Sequence, residues 1–383
     1  MSIRNKAAIV GIYEHPLRKA PDHSTPQLHA EVARGALADA GLGFADVDGY
    51  FCAGDAPSLM GMVDYLGLGD LSVMDGSEMG GASYIAAVDK AAQAIALGKC
   101  RVALVTLAGR PRQEKPQPRP NGAEGGFELP YGGSPPNSYA MVAQRHMHEF
   151  GTTAEDLAWV KVAASHHAQW NENALLRDVV TVEDVLDSPM VADPLHRLDC
   201  CVVTDGGGAF VITTPEIARE LNVTPVMVRG AAHAFKGQMG GRVDLTWSAA
   251  ALSGPRALEE AGVTVRDIKY ASIYDSFTIT VIMQLEDLGF CEKGQGGQFV
   301  RDGGLISGQG RLPWNTDGGG LCNNHPINRG GMTKVIEAVR QLRGAAHPKV
   351  QVPDCDLALV TGIGGMLGLR HSAATCILER ADA

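Results

Sequence analysis

Apolar positions fall alternately into short continuous runs and longer periodic ones. Lys6 to Ile12 (K-A-A-I-V-G-I) is a short apolar run of the kind a buried strand carries. Thr25 to Ala40 has apolar residues at helical spacing and ends at Gly41, and Asp46 to Cys52 follows as a strand. Gly80 to Leu97 predicts a helix of small residues closed by Gly98, with Arg101 to Thr106 as the next buried strand. Arg110 to Asn137 is rich in proline and glycine and has no period. Loops of that length in compact domains are usually lids or binding loops. Tyr139 to Gln169 predicts two helices, and Ala209–Thr213 and Val226–Ala232 predict strands, the first after a glycine turn at Asp205-Gly-Gly-Gly. Strands and helices in alternation make the chain an α/β protein.

The pattern then repeats. Ala36-Leu-Ala-Asp-Ala-Gly41 matches Ala257-Leu-Glu-Glu-Ala-Gly262, and Asp46-Val47 matches Asp267-Ile268 at the same offset. Cys100-Arg-Val-Ala-Leu-Val-Thr106 matches Cys355-Asp-Leu-Ala-Leu-Val-Thr361, each after a helix that ends in glycine (Gly98, Gly344). Two echoes in one order predict a duplicated α/β unit. The expected halves are residues 1–234, including a loop region at about 108–200, and 235–383. Duplication makes helix 81–97 the counterpart of helix 329–343, with both N-termini on a shared central cleft.

Composition narrows the function classes. With 383 residues the chain can bury a sizeable core, and a net charge of −10 argues against nucleic acid or an anionic membrane surface as partner. No run approaches the roughly 18 apolar residues of a membrane helix, and no signal core precedes Val10. The eight cysteines are scattered without C-x-x-C pairs, which argues against a zinc site or a disulfide framework and fits a cytoplasmic protein. His166-His167 have no spaced carboxylate partner, so no metal is expected there. Asp205-Gly-Gly-Gly lacks the spacing of a nucleotide loop and is read as structural.

The stretch Gly318 to Gly331 (G-G-G-L-C-N-N-H-P-I-N-R-G-G) is the candidate centre. It is glycine-dense and opens into an apolar-periodic run, Met332 to Leu342, so it feeds a helix N-terminus. Such an end offers free N–H groups and partial positive charge to an anion or oxyanion. His325 is the candidate acid/base or donor within it.

Asn324-His-Pro-Ile-Asn-Arg-Gly-Gly331 resembles the Gly-His-Pro-x-Gly-x-x-Gly motif of the thiolase superfamily. Tyr274-Asp-Ser-Phe277 resembles that family's Asn-Glu-Ala-Phe or His-Asp-Cys-Phe box, and Gly362-Ile-Gly-Gly365 its C-terminal Cys-x-Gly-Gly motif. Glu292-Lys-Gly-Gln-Gly-Gly297 and Asn315-Thr-Asp-Gly-Gly319 resemble the branch of thiolase-like lipid-transfer proteins. The resemblance covers nearly the whole chain. It implies a thiolase fold, duplicated α/β halves packed as a five-layered αβαβα sandwich, and a homodimer.

The departures matter more than the matches. Ungapped alignment back from Gly98 puts Gly81 where the family carries its nucleophilic cysteine, and Gly362 replaces the acid/base cysteine. Acyl transfer through the enzyme needs a thiolate, and Ser77 or Ser83 would be a poor substitute. The resemblance leaves Tyr274 and His325 as the catalytic pair. Gly81, Gly364 and Asn324 are expected at the oxyanion site, with Asp275 in support. Two donors on a developing thioester enolate suit retro-aldol cleavage of a β-hydroxyacyl-CoA. Tyr274 would be the base for the β-hydroxyl, its pKa lowered by a nearby cation or by several hydrogen bonds. Thiolase-like proteins without the cysteine include steroid side-chain retro-aldolases, which work with a small OB-fold, zinc-ribbon partner. Coenzyme A then enters as part of the substrate, with no bound cofactor. The alternatives are an acetyl-CoA C-acyltransferase and a non-catalytic acyl-CoA-binding subunit. Cys200 and Cys201 are expected to be buried.

Overall fold

The computed structural model describes residues 2–53, 59–114, 130, 133–237, 244–327, 330–366 and 370–381. Of the expected loop 110–137, residues 115–129, 131 and 132 lie outside these, as do Asn328 and Arg329 of the glycine-rich stretch.

The first half runs β1 (Ala8–Glu14), α1 (Thr25–Ala40), β2 (Gly49–Cys52), α2 (Leu59–Leu66), β3 (Val73–Asp75), α3 (Ser83–Ala96) and β4 (Val102–Gly109). Helices α4 (Pro135–Phe150) and α5 (Ala154–Ala168) follow, and β5 (Gly206–Thr213) closes the half. The second half runs β6 (Val226–Lys236), α6 (Ala250–Ala261), β7 (Tyr270–Ile273), α7 (Thr278–Asp287), α8 (Gly331–Leu342), β8 (Leu357–Met366) and β9 (Arg370–Arg380).

The strands lie in the order β3-β2-β4-β5-β1-β6-β9-β8-β7. Outward from the β1–β6 junction both halves read alike: two antiparallel pairings, then a parallel one (β4 with β2, β8 with β7). This is the duplication that the echoes predict. Gly41 and Gly262 end α1 and α6 in the left-handed conformation, at φ 70° and 66°, where a side chain would be strained. Within the sheet the halves join at two residue pairs, Ala8–Met227 and Ile9–Val226. Strand β6 pairs with β9 over its whole length, Val226–Arg380 to Lys236–His371. It therefore belongs to the second half, and the expected boundary at 234/235 falls inside it.

Apolar cores fill the spaces between five layers, the central one lying on both sides of the middle layer. Val32 and Leu37 of α1 pack with Leu104 on one face of β4, while Val105 on its other face packs with Ile85 and Val88 of α3 and Val335 of α8. Val360 of β8 joins that central core, and Leu359 joins a third, beneath α6 and α7. The sandwich explains why strands β4 and β8 are continuous apolar runs: successive side chains point to opposite faces and both faces are covered. The fold is the expected αβαβα arrangement, with α3 and α8 sharing the middle layer.

All eight cysteines are free thiols. Among the described residues no helix is long and apolar enough to cross a membrane.

Candidate active site

The N-terminal ends of α3 and α8 meet at the centre of the molecule. A Cβ added at Gly331 would lie 2.2 Å from the Gly81 carbonyl oxygen, and one at Gly362 would lie 2.7 Å from the same atom. At Gly364 it would lie 1.7 Å from the Met79 carbonyl. Four glycines thus let β8 and both helix ends touch backbone to backbone. Gly81 and Gly364 both stand at this junction.

Tyr274 follows β7 directly. Its N–H donates to Thr361 O (3.0 Å) and its carbonyl accepts from Gln284 Nε2 (2.7 Å), which fixes the backbone at both ends. The buried hydroxyl lies 2.7 Å from His325 Nε2. Two residues 51 positions apart in sequence are therefore a hydrogen-bonded pair. Asp275 supports from behind: its carboxylate accepts from Gly320 N (2.9 Å) and Leu321 N (3.1 Å) and pairs with Lys334 Nζ (2.8 Å). It pins the turn 319–323 that delivers His325. Gly319 has φ 61° and a Cβ there would meet the Asp275 carboxylate at 2.2 Å, so this turn requires glycine.

Burial sets the charge of the pair. The Tyr274 phenol is pushed well above its ordinary pKa of 10, first by desolvation and then by Cys201, Tyr139 and Asp275. The expected lowering of this pKa is therefore wrong in sign. Lys334, a cation beside the pair, faces Asp275 instead. His325 is lowered to about 4, by burial and then by Lys334. Near neutral pH the pair is a phenol beside a free imidazole, and Tyr274 can donate to an unprotonated Nε2.

Asn324, expected at the oxyanion site, is bound by protein partners. Its N–H bonds Gly319 O (3.2 Å), its Oδ1 accepts from Thr204 Oγ1 (2.7 Å) and its Nδ2 donates to Glu14 Oε1 (3.0 Å). Both ends of the Asn324 amide are engaged by protein groups.

A cysteine at 81 has no room. A Cβ there would sit 2.4 Å from Tyr274 Cζ and 2.5 Å from the Ile363 carbonyl oxygen. The tyrosine ring fills the space in which a nucleophile would stand. Ser83 is no substitute, because its hydroxyl donates to Gly80 O (2.7 Å) and accepts from Met79 N (2.9 Å) as a helix-end cap. Cys200 and Cys201 are half-buried rather than buried, since they follow a 3₁₀ turn at the edge of the loop region. Burial still pushes the Cys200 thiol up to about 12, and Cys201 further. Tyr139 of α4 stacks on Phe277 (ring centroids 4.5 Å) and donates to Gly365 O (3.1 Å), closing the cleft from the loop side.

His167 Nε2 accepts from Ser307 N (2.9 Å), a structural role. His15, His23 and Glu31 gather their ligand-type atoms within 4.8 Å, a cluster the sequence reading missed because a connection and a helix supply it without motif spacing. His15 Nδ1 accepts from Leu17 N (3.2 Å), so its Nε2 carries the proton directed at Glu31 Oε2 (2.9 Å). That arrangement is a hydrogen bond and not a ligand geometry. Thr204 and Glu14 were also missed. Thr204 adjoins the glycine turn read as structural, and Glu14 ends a strand; neither residue stands in a motif.

The model of the family described as "Thiolase C-terminal domain-like" matches residues 230–380. Over 94% of this chain and 98% of the relative, the sequence is 35% identical to 17-hydroxy-3-oxo-4-pregnene-20-carboxyl-CoA lyase of Mycobacterium tuberculosis. Over 97% and 99% it is 34% identical to an acetyl-CoA acetyltransferase of Methanothermobacter thermautotrophicus. A solved Ltp2-ChsH2(DUF35) aldolase superposes with a TM-score of 0.92 at 34% identity, covering both chains completely. The glycine-lined cleft, the Tyr274–His325 pair and these likenesses agree: the chain belongs to the thiolase superfamily, in its branch of lipid-transfer-protein-like members and steroid side-chain aldolases.

Proposed function

We propose that this chain is a retro-aldol lyase that splits a β-hydroxyacyl-CoA of lipid or steroid side-chain type into a ketone or aldehyde and a shorter acyl-CoA. One observation carries the reading: the Tyr274 ring occupies the space a nucleophile at 81 would need, while its hydroxyl is held 2.7 Å from His325. The similarity to a pregnene-carboxyl-CoA lyase and to an aldolase supports it.

In this reading the β-hydroxyl gives its proton to the Tyr274 oxygen as the Tyr274 proton passes to His325 Nε2. The Cα–Cβ bond breaks, the β-carbon leaves as a carbonyl, and the electron pair becomes the thioester enolate. Protonation at Cα, with the proton returned from His325 through Tyr274, restores the pair. A relay avoids a free phenolate, which the buried site disfavours. The imidazole, neutral at working pH, is the terminal base. The helix N-terminal ends at Gly81 and Gly331 face the developing enolate oxygen, where oriented N–H groups stabilise negative charge. Asp275 and Lys334 hold the geometry and stay out of the proton path.

The direct test is product analysis by mass with a panel of β-hydroxyacyl-CoA and β-ketoacyl-CoA thioesters, with and without free CoA. Cleavage of a hydroxyacyl-CoA that needs no CoA is the expected result. Cleavage of a ketoacyl-CoA only when CoA is present would establish acyl transfer instead, the activity named for the acetyltransferase relative. The aldolase neighbour is named as a two-component assembly, so the assay belongs on the chain as purified from its own host, with any companion protein retained. Homodimer formation is part of the same proposal, tested by light scattering.

The pH profile follows from His325. Its folded pKa lies below the ordinary value, and the neutral ring is the active form, so activity is full above the folded value and is lost as pH falls through it. We expect kcat to be flat from about pH 5.5 upward and to decline with an apparent pKa of about 4. An acid limb near 6.5 would show that the working site is hydrated and the relay does not run in a dry pair.

A further inference from the structure

His325 is held by more than its turn. Its main-chain N–H donates to Thr204 Oγ1 (2.9 Å), and Thr204 in turn donates to Asn324 Oδ1 (2.7 Å). Asn324 Nδ2 donates to Glu14 Oε1 (3.0 Å), 310 residues away on the end of β1. Glu14 is itself clamped: Arg18 Nη2 reaches the same oxygen at 2.7 Å, and Arg340 Nη1 of α8 reaches Oε2 at 3.1 Å. Thr204 and Asn324 are fully buried and the Glu14 side chain is 5% exposed. The carboxyl of Glu14 is lowered to about 2, its burial outweighed by Arg18 and Arg340.

The contacts form one connected network, in which Glu14 Oε1 accepts from Arg18, Asn323 and Asn324 together. Thr204 Oγ1 spends its proton on Asn324 and a lone pair on His325. The Asn324 amide is oriented by that proton at one end and by Glu14 at the other. Such a network has a single low-energy arrangement in a dry interior. It reaches the cleft through the backbone of His325, and the same Glu14 is bonded to Asn323 and to α8, whose first turn forms the floor of the site. Asp275 anchors the turn 319–323 at Gly320 and Leu321, and this second anchor holds its far end, at Asn323 and at the main chain of the histidine itself.

We propose that Glu14, acting through Asn324 and Thr204, is a positioning group for His325, setting the distance and angle of its ring to the Tyr274 hydroxyl. None of the three touches substrate. The kinetic half of this proposal rests on the retro-aldol reading; the spectroscopic half does not.

The test pairs Thr204→Val, which keeps shape and removes the hydroxyl, with Thr204→Ser, which restores it. With the β-hydroxyacyl-CoA that the wild type cleaves, Thr204→Val should lose about 10²-fold in kcat with KM changed less than about threefold, because only the reacting geometry is disturbed. Thr204→Ser should recover most of kcat. Independently of any turnover, long-range ¹H–¹⁵N spectra of the imidazoles, assigned by difference against His325→Ala, should show the His325 ring signals displaced in the Val variant and near wild type in the Ser variant. Equal kcat in the two variants, or unchanged His325 ring signals in Thr204→Val, overturns the proposal. If Thr204→Val does not fold, Asn324→Ala is read by the same two measurements and decides in the same way. Absence of turnover in the wild type on every substrate would count against the retro-aldol reading alone, and the ring spectra would still decide the positioning role.

Discussion

His325→Ala should lower kcat/KM for β-hydroxyacyl-CoA cleavage by about 10³–10⁴-fold, and Tyr274→Phe by about 10²–10³-fold. Loss of a positioned acid or base costs about 10²–10⁴-fold, and loss of one donor to a developing oxyanion about 10²–10³-fold. The two sit on one proton path, so the double variant should cost little more than His325→Ala by itself. The effect should fall mainly on kcat, since neither group is needed until charge develops. Steady-state kinetics on the three variants settles the matter. Activity of Tyr274→Phe near wild type would remove the tyrosine from the path and leave His325 acting on substrate directly. Stability supplies a control. His325→Ala removes the imidazole that lies 2.7 Å from the buried Tyr274 hydroxyl. That should destabilise the fold by about 1–3 kcal/mol in urea unfolding. Tyr274→Phe removes the hydroxyl itself and leaves an imidazole nitrogen bare, with a cost of the same order. A melt close to wild type would mean that water enters the cleft and takes the lost partner's place.

Gly81→Cys should not create an acyltransferase. The new Cβ would stand 2.4 Å from the Tyr274 ring and 2.5 Å from the Ile363 carbonyl. A flexible side-chain tip could move away from such a contact, but a ring fixed at both main-chain ends and a strand carbonyl cannot do so cheaply. Overpacking in a dense core costs about 1–3 kcal/mol, and the two clashes together place this variant at the upper end. The ring can relieve the clash only by shifting from His325, so retro-aldol activity should fall by about 10²-fold or more. Gly81→Cys/Tyr274→Ala removes the ring but leaves the Ile363 carbonyl, so stability should return only in part. Incubation of both variants with acyl-CoA, then denaturation and intact-mass measurement, reads the acyl-enzyme directly. An acyl adduct on Gly81→Cys alone would show that the cleft adapts to a nucleophile, and the steric account of the missing cysteine would be wrong. The prediction also states why both departures from the family pattern belong together: glycine at 81 and tyrosine at 274 occupy one space.

Much of this molecule is written in local pattern. Apolar periodicity placed β1, α1, β4 and α8, and the echo of Ala36–Gly41 in Ala257–Gly262 disclosed the duplication before any coordinate. Period and end-capping depend on neighbours a few residues apart, so Gly41 and Gly262 end their helices wherever the chain goes. The absence of a cysteine between Cys52 and Cys100 is likewise plain in the sequence, and with it the absence of a thiol at the helix end.

Tertiary structure decided the rest. The sequence named Tyr274 and His325, but only packing brought hydroxyl and imidazole to 2.7 Å. Packing also set their charge, against expectation. A cation near Tyr274 was looked for, and Lys334 is there, but it faces Asp275, and burial then governs the phenol. A pKa is a property of everything within a few ångströms, and sequence distance carries no information about that. Asn324 stood in a motif and looked like a free donor. Glu14, 310 residues away, and Thr204 engage the two ends of its amide. Long-range partners of buried polar groups are chosen by the layers that cover them, so the residues that hold His325 became visible only when β1, the turn after Cys201 and α8 were seen to converge.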